Sequence, residues 1–432
     1  MALPFAHLLT APATTQTPSW IPDSVVCHPA VIDLLRPLDP AEFFAQWWEQ
    51  APVHAPLPQG RRGALVTTDD LDGLIRVCAP GERDFHLQSA TPGRDGLVVL
   101  EEAPTAPDGR YDAEALYKRF QEGRTIVARR LDSRWRPVTR LCRGLESALR
   151  CPVTADLHHV PRGSAGLGPR AEPFELFIMQ LQGRHTWTLH EPETGQVGSI
   201  ASSETLREAP RLGPGVGGVV GGAWGEVTLG EGDLLYVPSG WCHRPSPPAG
   251  SSSTYLALAV QPLRWADLLV RVVEFAAARD PRLQQAVPLG DSDLPDIGDA
   301  LRDTLPKFIH SLLDPSKHHG VVQALAPGFL AQMEPPPEGR ADTSLDLDAI
   351  GADTPVIRRL GLPCSVREEG MVATIHFPGG DTAFPRRLRP ALEFIASSGR
   401  FTARQMPPTI APDAALFLVC RLCREGLLAV AV

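Results

Sequence analysis

Two residues at i and i+2 and a histidine after a distant turn have the spacing on which a strand-built metal site rests, but one of the three cannot ligate. Arg170 and Glu172 lie two apart in GLGPRAEPFELFIMQLQGRHTWTLH, which starts at Gly166, and His243 follows the turn after DLLYVP in GEGDLLYVPSGWCHRP, which starts at Gly230. Side chains alternate along a strand, so residues i and i+2 share one face, and a third ligand then arrives from a distant strand. Two histidines and a carboxylate in that arrangement leave open positions on Fe(II) for a co-substrate and for oxygen. Arg170 breaks the set, because a guanidinium has five donors, no lone pair to give and a pKa above about 12. With only Glu172 and His243 left beside a permanent positive charge, divalent-metal binding is expected to be severely weakened. A buried guanidinium without a partner is costly, so Arg170 is expected to pair with Glu172, with His243 or with an incoming anion. His158, His159 and His185 are the spare imidazoles that a relocated metal site would draw on. A lone strand histidine is more often packed and hydrogen-bonded than ligating, and because His158 and His159 are adjacent only one of them can face inward.

The elements that must position these residues are legible in the surrounding pattern. From Cys151 to Gln261 the short runs FELFIMQL, HTWTLH, DLLYVP and TYLALAV are separated by Gly, Pro and Ser clusters, which is the mark of a β-sandwich or barrel. Within it, the glycine-rich stretch from Gly213 to Gly225 lacks the Gly-Lys-Ser/Thr ending of a phosphate cradle and reads as a lid or a surface insertion. Upstream, VIDLLRPLDPAEFFAQWWEQAPVHAP has the apolar spacing and Asp-Pro-x-Glu start of a short helix. Residues 114–150 predict two more helices, with TIVARRL between them as a strand. From Arg264 onward, WADLLVRVVEFAAARDPRL and DALRDTLPKFIHSLL are amphipathic helices, followed by the linker PPPEGRADTS. The tail predicts a hairpin turning at Gly379-Gly380, then two helices and a final strand.

In these motifs and in this order of parts, the chain resembles the JmjC-type ribosomal oxygenases, which are cupin-fold Fe(II)- and 2-oxoglutarate-dependent protein hydroxylases. The resemblance rests on the two signatures above, on Trp48, Glu49 and Pro52 in a Trp-Glu-x-x-Pro pattern, and on Glu425, Gly426 and Leu427 in the closing helix-to-strand pattern. It implies an α+β chain. A double-stranded β-helix, or jelly roll, with N-terminal helices would occupy residues 1–263, a helical dimerisation module 264–335 and a winged helix 341–432, assembled as a two-fold homodimer. It also implies that His-x-Asp or His-x-Glu belongs at Arg170 and Glu172, with the last metal histidine at His243. A Lys or Arg that grips the distal carboxylate of 2-oxoglutarate belongs fifteen residues after the first ligand, where this chain has His185, a group mostly neutral near pH 7. Where the family has Asn-x-Tyr-x-Thr-Pro this chain has Asp156, His158, Val160 and Pro161, and where it has His-x-Thr this chain has Tyr255 and Ala257.

Composition narrows the classes further. At 432 residues, 43% hydrophobic and 21% charged, the chain is long enough for two or three domains with cores of their own. A net charge of -9 argues against wrapping nucleic acid, since phosphate neutralisation drives that binding. Charges from Asp342 to the end roughly cancel, so the winged helix is read as a protein-contact or structural module. The eight cysteines are scattered except for Cys420 and Cys423, whose CRLC lies in a buried-helix pattern, so no disulfide framework is expected and a reducing, cytoplasmic compartment is. The start has no basic segment and too short an apolar run for a signal peptide, and no stretch is long enough to span a bilayer.

Drift at the metal corner, at the co-substrate anchor and on both flanking strands points to a pseudo-oxygenase: a scaffold that binds a peptide or protein, with no cofactor and no hydroxylation. The alternative is an active Fe(II)- and 2-oxoglutarate-dependent protein hydroxylase, acting on a ribosomal protein or another peptide, with a metal ligand relocated to His158, His159 or His185. A metal-dependent cupin enzyme of another kind rests on the spare histidines alone.

Overall fold

The computed structural model describes residues 21–431 apart from 57–64, 79–83, 91–97, 165–167, 192–222, 247, 249, 279–280, 285–301, 303–329, 331–349 and 360–361. The chain divides into two compact units, Met1–Pro262 and Leu263–Val432.

The first unit is built on two antiparallel sheets. Strands β1 (Val53–Ala55), β2 (Phe85–Ala90), β3 (Val98–Glu102), β4 (Thr125–Ala128), β5 (Val153–Val160), β7 (Glu175–Gln182), β10 (Leu234–Val237) and β12 (Ser253–Val260) form an eight-stranded sheet in the order β1-β10-β7-β12-β5-β4-β2-β3. Strands β6 (Arg170–Ala171), β8 (His185–His190), β9 (Ala223–Leu229) and β11 (Cys242–Pro245) form a four-stranded sheet in the order β6-β11-β8-β9. Alternation decides which side chains meet between them. Ile178 of β7, Leu235 of β10, Tyr255 of β12, Trp187 and Leu189 of β8 and Val227 of β9 join one buried core. The intervening residues of the large sheet face the other way and are covered by helices. Phe43 of helix α3 (Pro40–Gln46) packs edge-on against Tyr236, and Trp48 stacks on the same ring with centroids 5.9 Å apart. The Trp-Glu-x-x-Pro pattern has a local reason here. Glu49 takes a left-handed conformation (φ 58°), and its N–H donates to the Tyr236 hydroxyl at 2.8 Å.

Helix α6 (Arg136–Leu149) is fastened to β5 by buried charge. Asp132, wholly buried, accepts from Arg143 Nη2 at 3.0 Å and from the Ala155 N–H at 3.0 Å. Arg143 Nη1 also meets Glu146 at 2.8 Å, and Glu146 accepts the Val153 N–H. Gly144 lets helix α2 (Pro29–Leu35) come close, since a Cβ there would stand 2.7 Å from the Ala30 methyl.

The strands expected between Cys151 and Gln261 are present, but the large sheet also recruits β1 to β4 from upstream, where only TIVARRL had read as a strand. One upstream helix was expected over 31–56, and two form, α2 and α3, each with a proline in its first turn. The jelly roll with accompanying helices is therefore the architecture of this unit.

In the second unit, helix α7 (Trp265–Ala277) is described, while nearly all of the rest of the expected 264–335 helical module, and the linker after it, lie outside the described residues. The same holds for 213–222 of the glycine-rich stretch, whose last three residues open β9. From Ile350 onward, β13 (Val356–Arg358), β17 (Arg400–Phe401) and β18 (Leu428–Val430) form one small sheet, and β14 (Ser365–Glu369), β15 (Val372–Phe377) and β16 (Gly380–Pro385) form another. Both pack with helices Arg389–Ser397 and Pro412–Glu425 around a core that includes Ile375, Leu392, Leu418 and Leu422. The β15–β16 hairpin turns at Pro378-Gly379, one residue before the expected pair, because proline suits the second position of the turn and Gly379 supplies φ 94° at the third. Cys423 is buried on the last helix, and none of the eight cysteines is in a disulfide. No helix among the described residues is long and apolar enough to cross a membrane.

Candidate functional site

Strand register brings the sequence-nominated residues together. On the small sheet, Arg170 of β6 lies directly opposite His243 of β11, and His243 lies opposite Leu189 of β8, with Trp187 two residues further along the same face. Directly opposed residues share a face, so Arg170, His243, Trp187 and Leu189 all point into the space between the sheets. On the large sheet Tyr255 of β12 lies opposite His158 of β5 and Gln180 of β7, and the register slips between Thr254 and Tyr255. An irregularity of this kind re-aims a side chain, here the large Tyr255 ring.

The rings close into a continuous wall. Tyr255 stacks on His158 with centroids 4.7 Å apart and stands edge-on to Trp187 at 5.2 Å and to His185 at 5.4 Å. Trp187 in turn lies 5.4 Å from His185 and 6.0 Å from His243. His159 is not part of this wall. It faces the opposite side of β5, stacks on Phe120 at 4.4 Å and bonds through Nδ1 to Thr254 Oγ1 at 2.8 Å, so it is unavailable as a substitute ligand. Strand alternation forces that outcome once His158 points inward.

Electrostatics centre on Arg170. Its Nε donates to Glu172 Oε1 at 3.2 Å, and both side chains are largely buried. Burial raises the Glu172 carboxyl above the ordinary range, and Arg170 pulls it back only partly. Burial first, then the same guanidinium, push His158 and His243 down to about 3 and His185 down to about 4. These imidazoles are therefore neutral through the physiological range.

Their hydrogen bonds define which nitrogen does what. His243 Nδ1 approaches the Trp241 carbonyl at 3.4 Å, which places the proton on Nδ1 and leaves a lone pair on Nε2. Ser253 Oγ accepts from Gln180 Nε2 at 2.9 Å and meets His185 Nδ1 at 3.1 Å, and the His185 ring is also hydrogen-bonded to the Ser246 backbone. Asp156, also on the inward face of β5, is occupied by the Arg130 N–H at 2.9 Å and by Arg129 at 3.7 Å.

This donor set does not fit iron. A facial triad needs three ligating side chains, and Arg170 fills one corner with a cation bonded to the carboxylate that would be the second. Among the described residues, no group of three or more His, Cys, Asp or Glu side chains is placed to hold a metal ion.

The fold around this site is shared with known proteins. Residues 131–268 match the JmjC domain family model. Family members are 2-oxoglutarate-dependent oxygenases. Among curated relatives, the bifunctional lysine-specific demethylase and histidyl-hydroxylase NO66 of Dictyostelium discoideum is 27% identical over 65% of this chain and 54% of its own length. Ribosomal oxygenase 2 of Bos taurus is 26% identical over 59% of this chain and 53% of its own. The chain thus spans about half the length of these relatives. Among solved structures, the ribosomal oxygenase YcfD of Escherichia coli covers 90% of this chain and 97% of its own with a TM-score of 0.52, at 18% identity, which bears on the fold. That protein has also been solved in complex with cobalt and 2-oxoglutarate.

Sequence reading nominated Arg170, Glu172, His243, His185 and His158, and the JmjC fold brings all five to one end of the interior. It passed over Trp187, Ser253 and Gln180. HTWTLH already places Trp187 on the same face as His185, two residues away, but the Ser253–His185 and Ser253–Gln180 contacts join residues roughly seventy positions apart, with no local signal.

Proposed function

We propose that this chain is a JmjC-fold protein without iron-dependent hydroxylase activity, serving as a peptide- or protein-binding scaffold with no metal cofactor. The observation that carries this reading is the Arg170–Glu172 ion pair at 3.2 Å, which puts a fixed positive charge where a ligand is required and engages the carboxylate that remains. His185, neutral and bonded to Ser253, lacks the charge to hold a co-substrate carboxylate as a lysine or arginine would. By analogy with the relatives' names the partner is a ribosomal protein. By the family's domain order the C-terminal unit is a winged helix, and a homodimer forms through a module that opens with α7, where Trp265, Leu269 and Val273 are exposed on one helical face.

The alternative, an active hydroxylase with a relocated ligand, is favoured by one feature. His243 keeps its Nδ1 proton on a backbone carbonyl and its Nε2 lone pair free, the orientation that a metal-binding histidine adopts.

Elemental mass spectrometry on protein purified without oxygen and incubated with Fe(II) and 2-oxoglutarate separates the two. The expected result is no bound iron in the native protein and partial uptake by Arg170→His. Near-stoichiometric iron in the native protein would overturn the reading and direct attention to His158 and His185.

A further inference from the structure

We draw no further inference here: the strongest candidate, the apolar outer edge of the eight-stranded sheet at β3, where Val99 and Leu100 are exposed on opposite faces of the strand, carries nothing because nothing in the structure shows what covers it.

Discussion

Replacing Arg170 by methionine removes the charge, keeps much of the buried stem, and should turn Glu172 into a pH-dependent source of instability. At 3.2 Å, the Nε–Oε1 separation corresponds to a gross attraction of about 5 kcal/mol at an effective dielectric constant of about 20. Desolvation of the two groups offsets much of that. With the side chains still 20% and 15% exposed, losing one partner should cost somewhat less than in a fully buried pair, ~2–3 kcal/mol at neutral pH. The Glu172 carboxyl already sits above its ordinary pKa because burial outweighs Arg170, so removing Arg170 raises it further. An acid whose folded pKa exceeds its unfolded value stabilises the fold below the unfolded value, and that contribution is lost as pH climbs through the folded pKa. The Arg170→Met deficit should therefore be small near about pH 5 and grow toward about pH 8. Urea unfolding midpoints of the native protein, Arg170→Met, Glu172→Gln and the double variant, at several pH values across that interval, measure this directly. A deficit independent of pH, or a coupling energy in the double-mutant cycle below about 0.5 kcal/mol, would refute the placement of a strong, largely buried pair at this corner.

The inward histidines titrate in the opposite sense. With folded values lowered to about 3 for His158 and His243 and about 4 for His185, their contribution to stability is present above the unfolded histidine range and lost as pH falls through the folded values. Their ring proton resonances should not move between about pH 5 and 8, and a midpoint near about 6.5 for any of them would contradict the burial described. Asp132→Ala should cost ~3–5 kcal/mol in urea unfolding, because it leaves Arg143 without one of its buried carboxylates and the Ala155 N–H without its acceptor. Asp33→Asn, at an exposed pair with Arg36, should cost less than about 1 kcal/mol, and equal costs would show that burial is not what makes Asp132 matter. Gly183→Ala should lower stability by ~1–3 kcal/mol, since φ is +70° and the new methyl would meet the Ser252 carbonyl oxygen at 2.5 Å. A thermal melt unchanged from the native protein would show that the turn into β8 can shift.

Much of this fold is legible in the sequence. The limits of β8 follow HTWTLH, and those of β7, β10 and β12 follow their apolar runs to within two residues, because short strands bounded by Gly and Pro announce themselves locally. β1, β2 and β3 did not, since their three to six residues carry no period long enough to separate from loop, and they are strands because the edge of the large sheet offers them partners. The opening helix was read as one where there are two, because Arg36-Pro37 and Asp39-Pro40 interrupt a continuous apolar rhythm.

At the site, the sequence by itself determined that Arg170 cannot ligate a metal, since that follows from the side chain's lack of a lone pair in any fold. It also determined that only one of His158 and His159 could face inward, since that follows from the pleat. Which one does, and where the Arg170 charge goes, only the tertiary structure decided. Tyr255 and Phe120 sit on opposite sides of β5 and select His158 for the interior, while the turn after β6 brings Glu172 back onto Arg170. The proton position on His243 was likewise out of reach of the sequence, because a neutral imidazole takes its tautomer from whichever oxygen the fold sets beside it, here the Trp241 carbonyl.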